Sequence, residues 1–506
     1  MTSLKAALLA TTVALAPMAA AANPAYKHVL LISVDGMHAS DLRYLLNQPG
    51  RSTLKTLAAT GTVYQNAYTT APSDSFPGMI GQVTGATPKT AGVFYDDSYD
   101  RTLFAPGSNC AGQPGAEITW FEAIDKNQDL VNAGGTLGKP LTQIDPAKLP
   151  EKLTNGVCAT ILPHQFIRTN TIFEIIKRAG LRTAWADKHP AYEILNGPSG
   201  TGIDDLFTPE VNALIPGQTK DFTTSYSEIQ INDGYKVSAV LNEINGLDST
   251  GTTQVGVPAI MGLDFQAVSI GEKLAKAGYA DNPNLVGGYV DALGTPGNAL
   301  TQQLGYVDRS IGQLVAALKT QNLTDSTLII ISAKHGQSPI DRTQRVAVDD
   351  TPYTGTPGYA FHVADDEALV WLNPNTRTPA TTKAAAEYLK ANKAKLHIET
   401  ILDANSLTAL YRNPLTDART PDFVTITTHG VIYTGGTKLA EHGGFSDDDR
   451  NVAMLLSGPT IKPNTNYTTV YTTQIAPTIL SALGLDVTKL NATRTEGVTV
   501  LPNYSR

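Results

Sequence analysis

Four residues stand where a polar side chain, placed after a strand or at a helix start, can do chemistry: Asp35, Ser75, His335 and His442. Asp35 closes the run His28-Val29-Leu30-Leu31-Ile32-Ser33-Val34 and precedes Gly36. A carboxylate there points into the crevice where α/β sheets bind ligands, although Asp-Gly is also a common turn. Ser75 lies in Ala71-Pro72-Ser73-Asp74-Ser75-Phe76-Pro77-Gly78. A hydroxyl at a helix start meets the positive end of the helix dipole, which favours an alkoxide or a phosphate oxygen; the plainer use is helix capping by Ser73 or Ser75. His335 follows an apolar run in Ser332-Ala333-Lys334-His335-Gly336-Gln337, and His442 stands in Glu441-His442-Gly443-Gly444-Phe445. A lone histidine is most often structural, but two in loops beside strand ends are harder to set aside. Trp185-Ala186-Asp187-Lys188-His189-Pro190 follows another strand pattern. Lys188 and His189 could contact substrate, or His189 could ligate a metal; local pairing with Asp187 or Glu193 is the plainer reading.

These residues need a sheet to hold them. The run at His28–Val34 is apolar on both faces, which suits a central strand covered by helices. Strand patterns recur at Arg182–Ala186, Pro258–Leu263, Leu328–Ser332 and Asn451–Leu456, and helical ones at Thr53–Ala59, Thr171–Ala179 and Leu304–Leu318. Strands alternating with helices predict an α/β domain with a mostly parallel central sheet flanked by helices. Residues 102–163, rich in Gly, Pro and Asn, read as a long surface insertion. Residues 341–436 read as a smaller α+β subdomain with a strand at Glu367–Leu372 and a helix at Thr381–Ala394. The main domain then takes residues 23–340 and 437–506.

With 506 residues, 17% of them charged and 42% apolar, the chain can bury a large core, which excludes disordered and collagen-like classes. A net charge of −8 argues against stable nucleic-acid binding, since such proteins carry surplus Lys and Arg. The start has one Lys, an apolar stretch from Ala6 to Ala16 and an Ala20-Ala21-Ala22 pattern. It reads as a secretory signal over residues 1–22, too short in its apolar part to span a bilayer. No later stretch approaches the length of a transmembrane segment, so a secreted or periplasmic protein is expected. Cys110 and Cys158 could then form a disulfide worth about 3–4 kcal/mol.

Taken in order, "LLISVDGM", "STLKTLAATGTVYQNAYTT", "APSDSFPGMIGQVTG", "AGVFYDDSYD", "STLIIISAKHGQ", "EHGGF" and "IAPTILSALGL" resemble successive motifs of the alkaline phosphatase superfamily. The branch they resemble is the type I phosphodiesterases, the nucleotide pyrophosphatase/phosphodiesterase family. The resemblance runs from about His28 to Gly484, and its order is more specific than any one motif. It implies an alkaline-phosphatase-like fold and a metal-dependent hydrolase of small phosphate esters, working through a phosphoseryl intermediate. Ser75 would be the nucleophile and a metal ligand, replacing the more usual threonine. Asp35 and His335 would hold one ion; Asp264 and His442 would hold a second. Zinc, one or two ions, is the implied cofactor, with Ca or Mn as alternatives.

Three positions depart from the family pattern. Lys334 stands where the family has an aspartate ligand, and Val268 where it has a histidine. The family's oxyanion asparagine falls at Asp96 or Asp97. Asp291, in "GYVDALGTP", takes the missing histidine's place in an alternative alignment. One reading is compensation: Asp97 or Asp291 restores negative ligand charge, and Lys334 gives positive charge to the phosphoryl group, with Lys188 as a further substrate contact. A phosphomonoesterase or sulfatase of the same superfamily is the rival enzyme, although the sulfatase Cys/Ser-x-Pro-x-Arg context is absent around Ser75. A non-catalytic binding protein on a decayed scaffold is the rival outside the enzymes.

Overall fold

The computed structural model describes residues 26–120, 124–275, 285–434 and 436–504. The secretory signal expected at residues 1–22 lies outside them. The centre is an eight-stranded sheet of β1 (His28–Val34), β2 (Thr62–Tyr64), β3 (Ala184–Ala186), β4 (Asp205–Phe207), β5 (Ile260–Phe265), β6 (Thr327–Ser332), β7 (Met454–Ser457) and β8 (Asn464–Asn466). Their spatial order is β8-β2-β7-β6-β1-β5-β3-β4. Strands β6, β1, β5, β3 and β4 run parallel, and β7 enters antiparallel to both β6 and β2. The sheet is therefore mostly parallel in an α/β domain, as the strand–helix alternation predicts.

Alternation along the central strands divides the apolar residues between two cores. Val29 and Leu31 of β1, Ile260 of β5 and Leu328 and Ile330 of β6 face one core. Leu30, Ile32, Val34, Met261, Leu263, Phe265, Ile329 and Ile331 face the other. Both faces are covered, so the strands read as continuous apolar runs. The helix Asn298–Thr320 extends the predicted Leu304–Leu318 at both ends and buries Leu304, Val307, Ile311, Leu314 and Leu318.

Residues 102–163 are not wholly surface. Ile118, Trp120, Ile124, Ile144 and Leu149 are buried in the first core, so this segment closes one face of the sheet. Its strand Glu151–Thr154 pairs with Val157–Thr160, and Cys110 is bonded to Cys158. Within 341–436, a four-stranded antiparallel sheet has the order Tyr359–Ala364, Ala368–Leu372, Phe423–Thr427, Ile398–Leu402. The helix Pro379–Ala391 buries Ala385 and Leu389 in the core of this region, together with Val370, Leu372 and Phe423. No helix among the described residues is long and apolar enough to cross a membrane.

Candidate active site

The parallel register brings the ends of β1, β5 and β6 level, with Val34 opposite Phe265 and Ser33 opposite Ser332. Asp35 follows β1, and Lys334 and His335 follow β6 within three residues. Strand β5 runs on to Phe265, so Asp264 lies inside it and not after it. Asp187 and Lys188 follow β3. Ser75 is the first residue of the helix Ser75–Thr84, and its cap is Asp74, which accepts from the Phe76 N–H at 3.0 Å. Since Asp74 caps, the Ser75 hydroxyl is free for other work. Gly78 lets this helix approach: a Cβ there would stand 2.1 Å from the Lys334 carbonyl oxygen.

Ser75 Oγ lies 3.1 Å from Lys188 Nζ and 3.2 Å from His335 Nε2. His335 Nδ1 is 2.8 Å from the Gly336 carbonyl, which can only accept, so Nδ1 carries a hydrogen and Nε2 is the nitrogen turned to the serine hydroxyl. Asp35 Oδ1 is 2.9 Å from that same Nε2. Asp35 Oδ2 meets Lys188 Nζ and Lys334 Nζ, each at 3.2 Å, and accepts from Gln266 Nε2 at 2.6 Å. Burial works against ionising Asp35, yet His335, Lys188 and Lys334 together hold its carboxyl well below the usual range.

Lys334 is fully buried. Its Nζ lies 3.0 Å from Asp264 Oδ2, 2.9 Å from Tyr192 OH and 3.9 Å from Asp187 Oδ1, besides Asp35. Burial opposes its charge, but Asp264, Tyr192, Asp35 and Asp187 raise its pKa well above the ordinary lysine value. Asp187 is pushed up to about 6, chiefly by burial and against the pull of Lys334. Gln266 ties the two carboxylates together, donating to Asp264 Oδ2 as well as to Asp35 at 2.6 Å. Its own backbone N–H is held by Asp233, which forms a buried pair with Lys236 at 3.0 Å.

His442 stacks near His335 with ring centroids 4.0 Å apart, and its Nδ1 is 3.4 Å from Asp74 Oδ1. Burial, Lys273 and His335 hold its pKa well below the usual histidine value. Asp35, Ser75, Lys188, Asp264, Lys334, His335 and His442 thus come together. Two expected residues do not join them. Asp291 is exposed, and its carboxylate accepts from the backbone of Leu293 and Thr295 in its own loop. Asp97 pairs in a hairpin with Thr119, and burial, Glu117 and Asp96 push its carboxyl up to about 9. Asp96, one residue earlier, is on the site side: its N–H donates to Asp74 Oδ2 at 3.0 Å and its carboxyl feels Lys188. His189 turns away to Glu210 at 2.9 Å.

The donors present do not fit the two ions implied by the resemblance. Lys334 puts an ammonium between Asp35 and Asp264, the carboxylates expected on different ions. Val268 is packed in the second core. Asp35 Oδ1, Asp74 Oδ1, Asp264 Oδ1 and His442 Nδ1 have no hydrogen-bond partner, but Asp35 Oδ1 faces His335 Nε2 at 2.9 Å and Asp74 Oδ1 faces His442 Nδ1 at 3.4 Å, and the four do not converge into the close set of three or four donors that a zinc site needs. Among the described residues, three mutually close His, Cys, Asp or Glu donors occur only at Cys110/Glu151/Cys158 and at His38/Asp41/Glu272, not here.

Sequence comparison decides the family. The model for type I phosphodiesterase / nucleotide pyrophosphatase matches residues 29–449. The chain belongs to this family. No curated protein sequence matches it. Among solved structures, the alkaline phosphatase PafA is similar with a TM-score of 0.61 at 13% identity, over 92% of this chain and 97% of that one. Murine ectonucleotide pyrophosphatase/phosphodiesterase 5 aligns with a TM-score of 0.54 at 15% identity, over 91% and 96%. The human form gives 0.55 at 14%, over 95% and 97%. The fold is alkaline-phosphatase-like, and the family supports a phosphodiesterase, pyrophosphatase or phosphatase type of hydrolase.

Sequence reasoning missed Gln266, Tyr192 and Asp74. Gln266 and Tyr192 carried no usable signal, since the role of each exists only where Asp35, Asp264 and Lys334 converge on it.

Proposed function

We propose that the chain cleaves phosphodiester or pyrophosphate bonds of small soluble esters, with Ser75 as nucleophile, after export from the cell. The observation that carries this is the position of Ser75 Oγ, at a helix N-terminus between a lysine ammonium and the imidazole Nε2 of His335. In the first step His335 Nε2 takes the Ser75 proton as Oγ bonds to phosphorus, and the imidazolium so formed faces Asp35 Oδ1. The bond to the leaving oxygen breaks in line on the opposite side; that oxygen keeps the electron pair and is protonated from solvent. In the second step water attacks the phosphoseryl group and releases its proton to solvent, while His335 returns its proton to the departing Oγ. Lys188, partly open to solvent, offers a point charge to the phosphoryl oxygens.

A murine phosphodiesterase 5 structure of the same fold is a complex with AMP, which supports a nucleotide-like ester as the substrate class. The Cys110–Cys158 bond supports an oxidising compartment. The test is hydrolysis of an aryl phosphodiester by wild type and Ser75→Ala, with acid quench and mass spectrometry of the Ser75 peptide. We expect a phosphorylated Ser75 in wild type and a rate loss of roughly 10³-fold or more in the variant. Equal rates in the two proteins would remove Ser75 from the mechanism. Absence of turnover on diester, pyrophosphate and monoester alike would favour a binding protein on this scaffold.

A further inference from the structure

We propose that Lys334 and Lys188 have replaced the divalent ions of this site, so that the positive charge needed at the phosphoryl group is built into the chain and no metal is bound. The proposal rests on the hydrolase reading only for the use made of the charge; the replacement itself follows from the donor set. Lys334 occupies the sequence position of a carboxylate ligand, and its Nζ lies between Asp35 Oδ2 at 3.2 Å and Asp264 Oδ2 at 3.0 Å. Tyr192 OH at 2.9 Å is its third partner. An ammonium has three hydrogens to give, and three acceptors surround this one. Lys188 repeats the arrangement on the open side, with Asp35 Oδ2 at 3.2 Å, Ser75 Oγ at 3.1 Å and Gln266 Oε1 at 3.4 Å.

The two lysines differ in access, which gives them different work. Lys334 is sealed off and holds Asp35 and Asp264 as a neutralised base plate; it is a positioning residue. Lys188 touches the nucleophile and retains some solvent exposure, so it can meet an incoming phosphoryl oxygen. A tethered cation cannot be removed by a chelator, and the positions lost as ligands, Lys334 and Val268, fall one in each ion's donor set. Gln266 also fits this account: its amide donates to Asp35 Oδ2 and Asp264 Oδ2, tying up one oxygen on each carboxylate.

The experiment uses the full chain purified without chelator and without an immobilised-metal step. Elemental analysis is expected to find substoichiometric zinc, manganese and calcium, and titration calorimetry with ZnCl₂ and with MnCl₂ no stoichiometric binding. Turnover of the aryl phosphodiester should be unchanged by EDTA. The double variant Lys334→Asp/Val268→His restores a donor to each set and should bind zinc stoichiometrically, a readout that does not depend on activity. In Lys188→Met, inhibition by inorganic phosphate should weaken by roughly 10- to 100-fold. One or more ions per wild-type chain, with turnover lost in EDTA, would overturn the proposal while leaving the hydrolase reading intact. A metal-free wild type without turnover or Ser75 phosphorylation would sustain the replacement and sink the hydrolase reading. If the double variant does not fold, the wild-type metal content decides.

Discussion

Around Asp35 the carboxylates are faced by ammonium and amide groups, whereas a few residues along the same loops Asp41 and Glu272 share one imidazole and one phenol. Both clusters are buried, and both are assembled from the segments 35–41, 264–272 and 334–337. In the second, Tyr289 OH lies 2.9 Å from Asp41 Oδ2, 2.8 Å from Glu272 Oε1 and 2.6 Å from His38 Nδ1. Gln337 donates its side-chain amide to Glu272, and its backbone carbonyl accepts from His38 Nε2 at 3.0 Å. Gly36, at φ +85°, turns the chain between the two clusters, and a Cβ there would stand 2.9 Å from Glu272 Oε2. The first cluster is faced by fixed cations, and His335, Lys188 and Lys334 hold the Asp35 carboxyl well below its usual range against the pull of burial. The second is neutralised by protons: His38 is raised well above its usual value, with burial opposing and Glu272 and Asp41 favouring the charge, while burial pushes Glu272 up to about 7. One interior therefore shows both ways of keeping acidic groups out of water, and they should fail under different conditions.

The largest difference should appear on removing the cation. Lys334→Met strands Asp35 and Asp264 in the interior, and loss of one partner from a buried charge cluster costs about 3–5 kcal/mol. Urea unfolding of wild type and variant would measure it; a loss under 1 kcal/mol would mean that the carboxylates had taken up protons instead, erasing the contrast. Removing the phenol should cost less. Tyr289→Phe leaves Asp41, Glu272 and His38 able to pair with one another, at 3.3 Å for each carboxylate against the imidazole. We expect about 1–3 kcal/mol in the same assay, the range for one buried hydrogen-bonding group left unmatched.

How far the sequence disclosed these arrangements depends on the kind of signal. The central strands were legible because burial on two faces leaves an unbroken apolar run, as in Val29–Val34. Asp35, Ser75 and His335 were legible because a strand end or a helix start fixes where a side chain points. Asp96 and Asp97 could not be separated, since adjacent residues entering a strand point to opposite sides and one step of register exchanges them. Asp291 fitted by alignment alone, and its loop satisfies it internally. Lys334 was seen as a departure, but its burial among four oxygen-bearing partners depends on Asp187 and Tyr192 arriving from the loop and short helix that follow β3. Gln266 and Tyr289 were silent because amides and phenols are common, and their roles exist only where several acceptors converge in space.

The smallest expected effect concerns protons, and it separates the two clusters by pH. Glu272 has a folded pKa of about 7, above the ~4.3 of an unfolded glutamate, so the folded state binds the extra proton. Its contribution to stability is therefore complete below about pH 4.3 and is lost as pH rises towards 7, by up to about 1.4 kcal/mol per pH unit within that window. His38 has the same sign, since its raised pKa means that stability is lost as pH rises through a value above 6.5. The groups facing Glu272 are His38, Asp41 and Tyr289, together with the neutral amide of Gln337. Glu272→Gln keeps the shape and removes the titration, so its urea midpoint between pH 4.5 and 7 should fall less steeply with rising pH than that of wild type. Parallel curves for the two proteins would show that Glu272 is ionised throughout and that the second cluster, like the first, relies on a permanent cation.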